Sequence, residues 1–275
     1  MVVFPNCKIN LGLQVVAKRA DGFHNIETIF YPINIKDAIE IIENKEERNE
    51  EIIFTQSGNS INVDDNNNLC VKAYKLLKKD FPQIPNIKLH LLKNIPMGAG
   101  LGGGSANASS VLILLNNLFK LNITQQKLID YALTLGSDCP FFIINKPCYA
   151  TGRGEILNEI EIDLTKYKIV ILNPRIHINT GIAFSNFNST NYSQSGSLAN
   201  IINTNIYDWK NNLKNDFEQT VFQTNPILKE IKESMYAQGA IYSAMSGTGS
   251  TIFAIFEKTT LLQLKYPAHY FYQIV

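Results

Sequence analysis

Five of the seven residues from Gly98 to Gly104 are glycine, and this stretch restricts the fold more than any other in the chain. Losing so many Cβ atoms permits positive φ and lets the backbone approach another group closely. Pro96-Met97 leads into it, and Ser105 to Leu118 leads out as a run that reads as a helix. Successive N–H groups pointing inward, joined to a helix N-terminus, form an anion cradle whose natural occupant is phosphate. A Walker loop is ruled out because no lysine lies between Gly98 and Ser110. Gly98, Gly100 and Gly103 match G-x-G-x-x-G literally. That fingerprint needs a strand and an acidic residue about 20 positions on. Leu118 to Leu121 stands there instead, and the next segment reads as helix. The protein-kinase loop lies between strands and has valine where Ser105 stands. A flexible glycine linker or a helix cap without ligand is the remaining alternative, but a linker does not normally run from Pro-Met-Gly straight into an amphipathic helix.

Other features narrow the class. With 275 residues, 45% of them apolar, the chain can bury a large core without a disulfide or metal staple. The 25 basic and 24 acidic residues leave a formal charge of +1, without the electrostatic footprint of a nucleic-acid binder. Apolar runs such as Val111 to Leu115 fall far short of the ~18 residues of a membrane span, so no membrane partner is expected. The start shows no basic segment followed by an apolar one, so no signal peptide is read. Cys7, Cys70, Cys139 and Cys148 form no C-x-x-C pair and suit a reducing cytoplasm. His24, His90, His177 and His269 lack H-x-x-x-H spacing, so no protein-only transition-metal site is expected. No coiled-coil seam announces an oligomer.

From Lys8 to Val15 apolar residues alternate with Lys8, Asn10, Gly12 and Gln14, the period of a strand with one polar face. Further strands are predicted over Glu27 to Ile33 and Ala38 to Glu43. The polar stretch Asn44 to Glu51 reads as a hairpin tip, with Ile52 to Gln56 returning. A loop from Asp64 ends in a cap at Asn68, and a helix runs from Leu69 to Phe81. Ile87 to Leu92 is a strand, and Thr124 caps a helix to about Leu135. Pro140 to Ile144 and Cys148 to Ala150 read as short strands. Gly152 to Leu164 turns polar and marks a domain boundary. Beyond it come a strand at Lys168 to Leu172, a mobile loop at Asn186 to Ser197, and helices at Leu198 to Asn203 and Pro226 to Gln238. Ala240 to Met245 and Thr251 to Phe256 form a strand pair flanking Ser246-Gly247-Thr248-Gly249-Ser250. Helices and strands mix without strict alternation, which predicts an α+β chain.

Pro96-Met97-Gly98 through Ser105-Ala106 resembles the second motif of the GHMP kinases, and Ser246 to Ser250 resembles the third. Four further segments are similar to one branch of that family: Lys8-Ile9-Asn10-Leu11, Arg19 to His24, Leu135 to Phe141, and Ala150 to Glu155. The matches run in the family's order from residue 8 to residue 250. The resemblance implies a two-domain α+β kinase, 1–155 and 156–275, with its active site in the interdomain cleft. It also implies ATP with Mg²⁺ as cofactors, and a small cytidine-diphosphate substrate bearing the acceptor alcohol. Lys8 and Asp138 would be the catalytic pair. Pro96, Met97, Gly98, Ala99, Gly100, Leu101, Gly102, Gly103, Gly104, Ser105 and Ala106 would hold the ATP phosphates. Asn10 would hold the substrate phosphate or Asp138, His24 would read cytosine, and Phe184 would stack on the base. Phe23 departs from the family's usual tyrosine, so any hydrogen bond from that hydroxyl is lost. The segment after Phe256 matches poorly, and nothing is carried over from it.

Transfer of phosphate to an alcohol needs fixed donors for the phosphates, a base for the proton and charge neutralisation. Glycine amides, Asp138 and Lys8 are residue types that supply these. Plainer readings stand beside them. Asp138 also reads as a cap for the turn at Cys139-Pro140, and Lys8 as an ordinary strand lysine. His24 alone reads as a turn residue and Phe184 alone as core. Ser246 to Ser250 is either a tight hairpin loop or a second anion nest. Alternatives for the whole chain are a homoserine, mevalonate or sugar kinase of the same family, a catalytically silent nucleotide binder, and a nicotinamide-dependent oxidoreductase.

Overall fold

The computed structural model describes residues 1–46, 50–59, 67–187, 192 and 197–275. Its strands are β1 (Val2–Val3), β2 (Asn6–Lys18), β3 (His24–Lys36), β4 (Ala38–Glu43), β5 (Ile52–Gly58), β6 (Ile87–Lys93), β7 (Cys148–Thr151), β8 (Ile156–Glu159), β9 (Tyr167–Asn173), β10 (Tyr242–Met245), β11 (Ile252–Glu257) and β12 (Phe271–Ile274). Its helices are α1 (Leu69–Asp80), α2 (Gly103–Leu118), α3 (Gln125–Leu135), α4 (Cys139–Ile144), α5 (Thr180–Ser185), α6 (Ser197–Ile202), α7 (Trp209–Asn212), α8 (Glu218–Thr224) and α9 (Pro226–Ala237). The chain forms two compact units. One comprises 1–7, 34–97 and 102–145; the other comprises 8–33, 98–101 and 146–275. This grouping divides the chain at several points, two of them inside β2 and β3, where the sequence reading places one boundary near 155.

The first unit holds a sheet in the order β1-β4-β6-β5. Ile39 and Ile41 of β4 and Ile87, Leu89 and Leu91 of β6 pack on Tyr74 and Leu77 of α1 and on Val111, Leu112 and Leu115 of α2. Alternation puts these side chains on one face. The expected hairpin between Ala38–Glu43 and Ile52–Gln56 does not form. β4 pairs antiparallel with β6, and β5 pairs parallel with it. β6 buries the most apolar residues and takes the interior position, so α1 becomes the crossover of a β5-α1-β6 unit. Within the expected tip, residues 47–49 lie outside the described residues.

Two helix starts differ from expectation. α2 begins at Gly103 rather than Ser105. Pro140 to Ile144 is part of helix α4 rather than a strand. A short, wholly buried apolar run carries no period to separate the two forms. Pro140 decides it, since it presets helical φ in the first turn and has no N–H to give a sheet. Two caps form as expected. Asn68 accepts from the Cys70 amide at 2.9 Å, and Thr124 accepts from Lys127 at 3.3 Å. The start of the loop leading to Asn68, residues 64–66, lies outside the described residues.

The second unit contains two sheets, β2-β3-β7-β8 and β10-β11-β9-β12. The stretch read as a polar boundary contributes β8, which pairs with β7. The C-terminal segment contributes β12 along β9. Leu13, Val15, Val170, Leu172, Phe217, Met245 and Phe256 share one core there. Most of the expected loop at Asn186 to Ser197 (188–191 and 193–196) lies outside the described residues.

Candidate active site

The glycine stretch is entered from β6 and left through α2. In the first unit, Asp37 Oδ1 accepts the amides of Asn94 and Ile95 at 2.7 and 2.8 Å. Its Oδ2 takes Lys93 Nζ at 2.5 Å, with both side chains fully buried. Burial pulls the Lys93 ammonium below its ordinary pKa and the Asp37 charge opposes that shift. Sequence reasoning missed this pair. Its signal was the alternation Ile87, Leu89, Leu91, which makes position 93 the next inward residue. Lys93 lies directly under the start of α2, where a Cβ on Gly103 would meet Nζ at 3.0 Å.

Gly102 occupies the N-cap of α2 with φ 69° and offers no side-chain cap. The first intrahelical bond runs from the Ala106 amide to the Gly102 carbonyl, so the amides before Ala106 have no intrahelical partner. One turn further on, Ser109 Oγ donates to the Cys139 carbonyl at 2.8 Å and ties α2 to α4. Asp138 stands immediately before α4, half-buried, at the N-cap position, yet its side chain makes no cap hydrogen bond. Capping is therefore not what its carboxylate does. Burial raises the neighbouring Cys139 thiol to about 11, and those of Cys7 and Cys70 to about 12, so none is a nucleophile at neutral pH.

In the second unit, Gly98 to Leu101 meets Ser246 to Ser250 backbone to backbone. Gly100 has φ 75°, and a Cβ there would lie 2.0 Å from the Ser246 carbonyl oxygen. Ser246 Oγ donates to the Gly100 carbonyl at 2.8 Å, and the Thr251 amide donates to that of Ala99 at 3.2 Å. The expected strand pair, β10 and β11, carries the Ser246 to Ser250 turn. Its rear is held by buried Asn215, whose Nδ2 donates to the Met245 and Gly247 carbonyls at 2.7 Å each. Asp216 Oδ2 accepts from the Val15 amide and Glu218 Oε1 from that of Met245, each at 2.8 Å. Asn215 also escaped the sequence reading, because an Asn-Asp pair ahead of a helix looks like a cap. Asn215→Ala should destabilise the protein by about 2 kcal/mol, the cost of two buried carbonyls losing their donor. Urea unfolding checks this.

Lys8 is buried on the polar row of β2. Its Nζ donates to Asn10 Oδ1 at 2.6 Å and lies 4.8 Å from the Phe30 ring centroid. Its backbone amide donates to the Leu101 carbonyl at 3.0 Å. A solvent-facing strand lysine is excluded by that burial. Asn10 serves Lys8 with Oδ1 and Thr28 with Nδ2, so it orients the ammonium.

His24 and Phe184, 160 residues apart in the chain, stack with ring centroids 5.1 Å apart and planes 25° from parallel. Phe184 in turn meets Phe217 edge-on at 4.7 Å. It projects from α5, which Asn179 caps and a Thr180–Thr248 hydroxyl contact of 3.0 Å joins to the Ser246 to Ser250 turn. Burial, with Lys18 nearby, lowers the His24 pKa, which favours the neutral ring. A neutral imidazole offers one donor and one acceptor. Next to it, exposed Phe23 carries the Arg153 guanidinium 4.7 Å over its ring in place of any hydroxyl interaction.

Residues 68–146 match the model of the GHMP kinases N terminal domain, and 196–269 match that of the GHMP kinases C terminal. A 4-diphosphocytidyl-2-C-methyl-D-erythritol kinase of Azobacteroides pseudotrichonymphae is 48% identical, over 94% of both chains. The chain belongs to the GHMP kinase family. A protein of the same description from Bacteroides fragilis is 45% identical over 96% of both chains. The crystal structure of a 4-(cytidine 5'-diphospho)-2C-methyl-D-erythritol kinase superposes with a TM-score of 0.78 at 28% identity, covering 93% of this chain and 90% of that one. A mevalonate kinase from Methanococcus jannaschii, at 15% identity and a TM-score of 0.70, shares the fold. The α+β, two-domain GHMP kinase architecture is thus confirmed, and membership of the family implies ATP-dependent phosphotransfer. The nicotinamide alternative falls, since α2 is followed by α3 rather than by the strand a dinucleotide fold requires. No described helix is long and apolar enough to cross a membrane.

Proposed function

We propose that this GHMP kinase transfers the γ-phosphate of ATP to the 2-hydroxyl of 4-diphosphocytidyl-2-C-methyl-D-erythritol, a step of isoprenoid precursor synthesis. The observation that carries the reading is the stacked His24–Phe184 pair on the same unit as Lys8, joined through α5 to the Ser246 to Ser250 turn. A neutral imidazole beside a ring face suits a pyrimidine that must be both stacked upon and hydrogen-bonded. Relatives of the same description at 44–48% identity support it.

The cradle from Pro96 to Ala106 receives the nucleotide phosphates on backbone amides, which its missing Cβ atoms leave reachable. Lys8 and Asp138 form the catalytic pair. The Asp138 carboxylate takes the proton of the acceptor hydroxyl, and the Lys8 ammonium neutralises charge on the transferred phosphoryl group. Magnesium, when bound, supplies further neutralisation of the phosphates. Hard oxygen donors suit that ion, and the Ser105 hydroxyl, in the first turn of α2, would be one of them. The N-terminal segment 1–155 would carry the phosphate loop, and 156–275 the second family domain. Four free, buried thiols support a cytoplasmic enzyme.

The test is ADP release with ATP and magnesium against a panel: the diphosphocytidyl substrate, homoserine, mevalonate, galactose and no acceptor. Turnover with the cytidine substrate alone is expected. Turnover with another acceptor would leave the fold and void the roles of His24 and Phe184. His24→Ala should raise KM for the cytidine substrate by ~10-fold or more with KM for ATP unchanged. Undiminished discrimination between cytidine and uridine analogues in that variant would place base reading elsewhere.

A further inference from the structure

Thr28 lies buried in β3, two strand positions from Phe30 and four from His24, and the mechanism proposed for Lys8 and Asp138 gives it no role. Its Oγ1 is 2.5 Å from the Gly12 carbonyl oxygen and 2.7 Å from Nδ2 of Asn10. A hydroxyl carries one hydrogen, and a carbonyl only accepts. The Thr28 hydrogen is therefore committed to Gly12, and its oxygen accepts from Asn10. That sets which end of the Asn10 amide faces Thr28: the NH₂. The other end, Oδ1, faces the Lys8 ammonium, which only donates. With a donor-only group at one end and an acceptor-only group at the other, one direction satisfies the whole row, Lys8 to Asn10 to Thr28 to Gly12. A flipped amide would set NH₂ against the ammonium and a carbonyl against a lone pair.

The backbone of Asn10 is held separately. Its amide donates to Ser246 Oγ at 3.2 Å, and that hydroxyl spends its own hydrogen on Gly100. Asn10 is thus pinned by main chain and side chain, and Thr28 holds the Nδ2 end of the side chain. A lysine reaches its partner through a long, rotatable stem, so the place of its charge depends on what grips the far end.

We propose that Thr28 is a positioning residue for phosphoryl transfer, acting through the Asn10 amide to hold the Lys8 ammonium in one place. The inference rests on the reading that Lys8 acts at the transferred phosphate. Displacement of a catalytic group by ~1 Å costs up to ~10²-fold in rate, so loss of this link is a kinetic event before it is a structural one.

Thr28→Val keeps the branched shape and removes the hydroxyl. Its kcat should fall on the order of tenfold, with KM for ATP altered by less than about twofold. Thr28→Ser should restore most of kcat. In an Asn10→Ala background, where the link to Lys8 is already cut, Thr28→Val should cost nothing more. Thr28→Ala covers the case in which valine crowds the strand. Wild-type kcat in both the Val and Ala variants overturns the proposal. So does a loss that serine does not restore, or one equally large with Asn10 absent. Lys8→Met, assayed alongside, separates the two ideas. If it loses turnover while the Thr28 variants keep theirs, only the role of Thr28 falls. If it keeps full kcat, the role of Lys8 falls and that of Thr28 with it.

Discussion

Asp138→Asn should lower kcat by ~10²-fold or more while KM for ATP stays nearly unchanged. Asparagine has the size of aspartate but cannot accept a proton at neutral pH. The local structure should survive the exchange, because asparagine keeps the shape of aspartate and there is no cap hydrogen bond to α4 for it to break. The segment is held instead by Ser109 on the Cys139 carbonyl and by Pro140 in the first helical turn. Thermal unfolding of the variant should therefore match that of the parent. Steady-state kinetics decide the case: unchanged turnover removes Asp138 from the mechanism. A matching rise in KM for both substrates, without a fall in kcat, would make it a binding group.

Gly100→Ala should abolish nucleotide binding and destabilise the protein by at least ~3 kcal/mol. One methyl group is enough for two reasons. The backbone at Gly100 is left-handed, φ 75°, which costs an L-residue about 1–2 kcal/mol. The new Cβ would also sit 2.0 Å from a main-chain oxygen, that of Ser246, which no rotamer change can move aside. The two glycine turns must separate, and the Ser246 hydrogen bond to Gly100 goes with them. Gly104→Ala is the control. Its Cβ would meet nothing nearer than Leu69 Cδ1 at 3.9 Å, so the free protein should be no less stable. Calorimetric titration with ATP and thermal unfolding of both variants check the pair. Normal ATP affinity in Gly100→Ala would show that the phosphates bind elsewhere.

Much of this protein is legible along the chain because the relevant forces are local. Period-two alternation marks β2, β4 and β6, and the Asn68 and Thr124 caps are visible as residues ahead of apolar runs. The glycine cradle followed by a helix announces phosphate before any fold is known. Lys8 and Asp138 are readable as candidates, although motif resemblance alone raises them above a strand lysine and a turn cap. For His24 and Phe184 the residues on their own point to a turn and a core.

What the chain does not show are the partnerships made across it. Whether β5 pairs with β4 or β6 depends on which strand buries the most apolar surface, and the two choices look alike in a window of ten residues. Pro140 to Ile144 has no period, so only its surroundings make it a helix. The stack of His24 on Phe184, the brace from Asn215 and the grip of Ser246 on Asn10 join residues 30 to 236 positions apart. Among the five glycines of the cradle, the sequence ranks none above another, whereas packing singles out Gly100. Composition and spacing therefore determined the kind of chemistry and the residues able to perform it. Tertiary structure decided which of them are aimed and by what, because a hydrogen bond between distant positions leaves no periodic trace in the sequence.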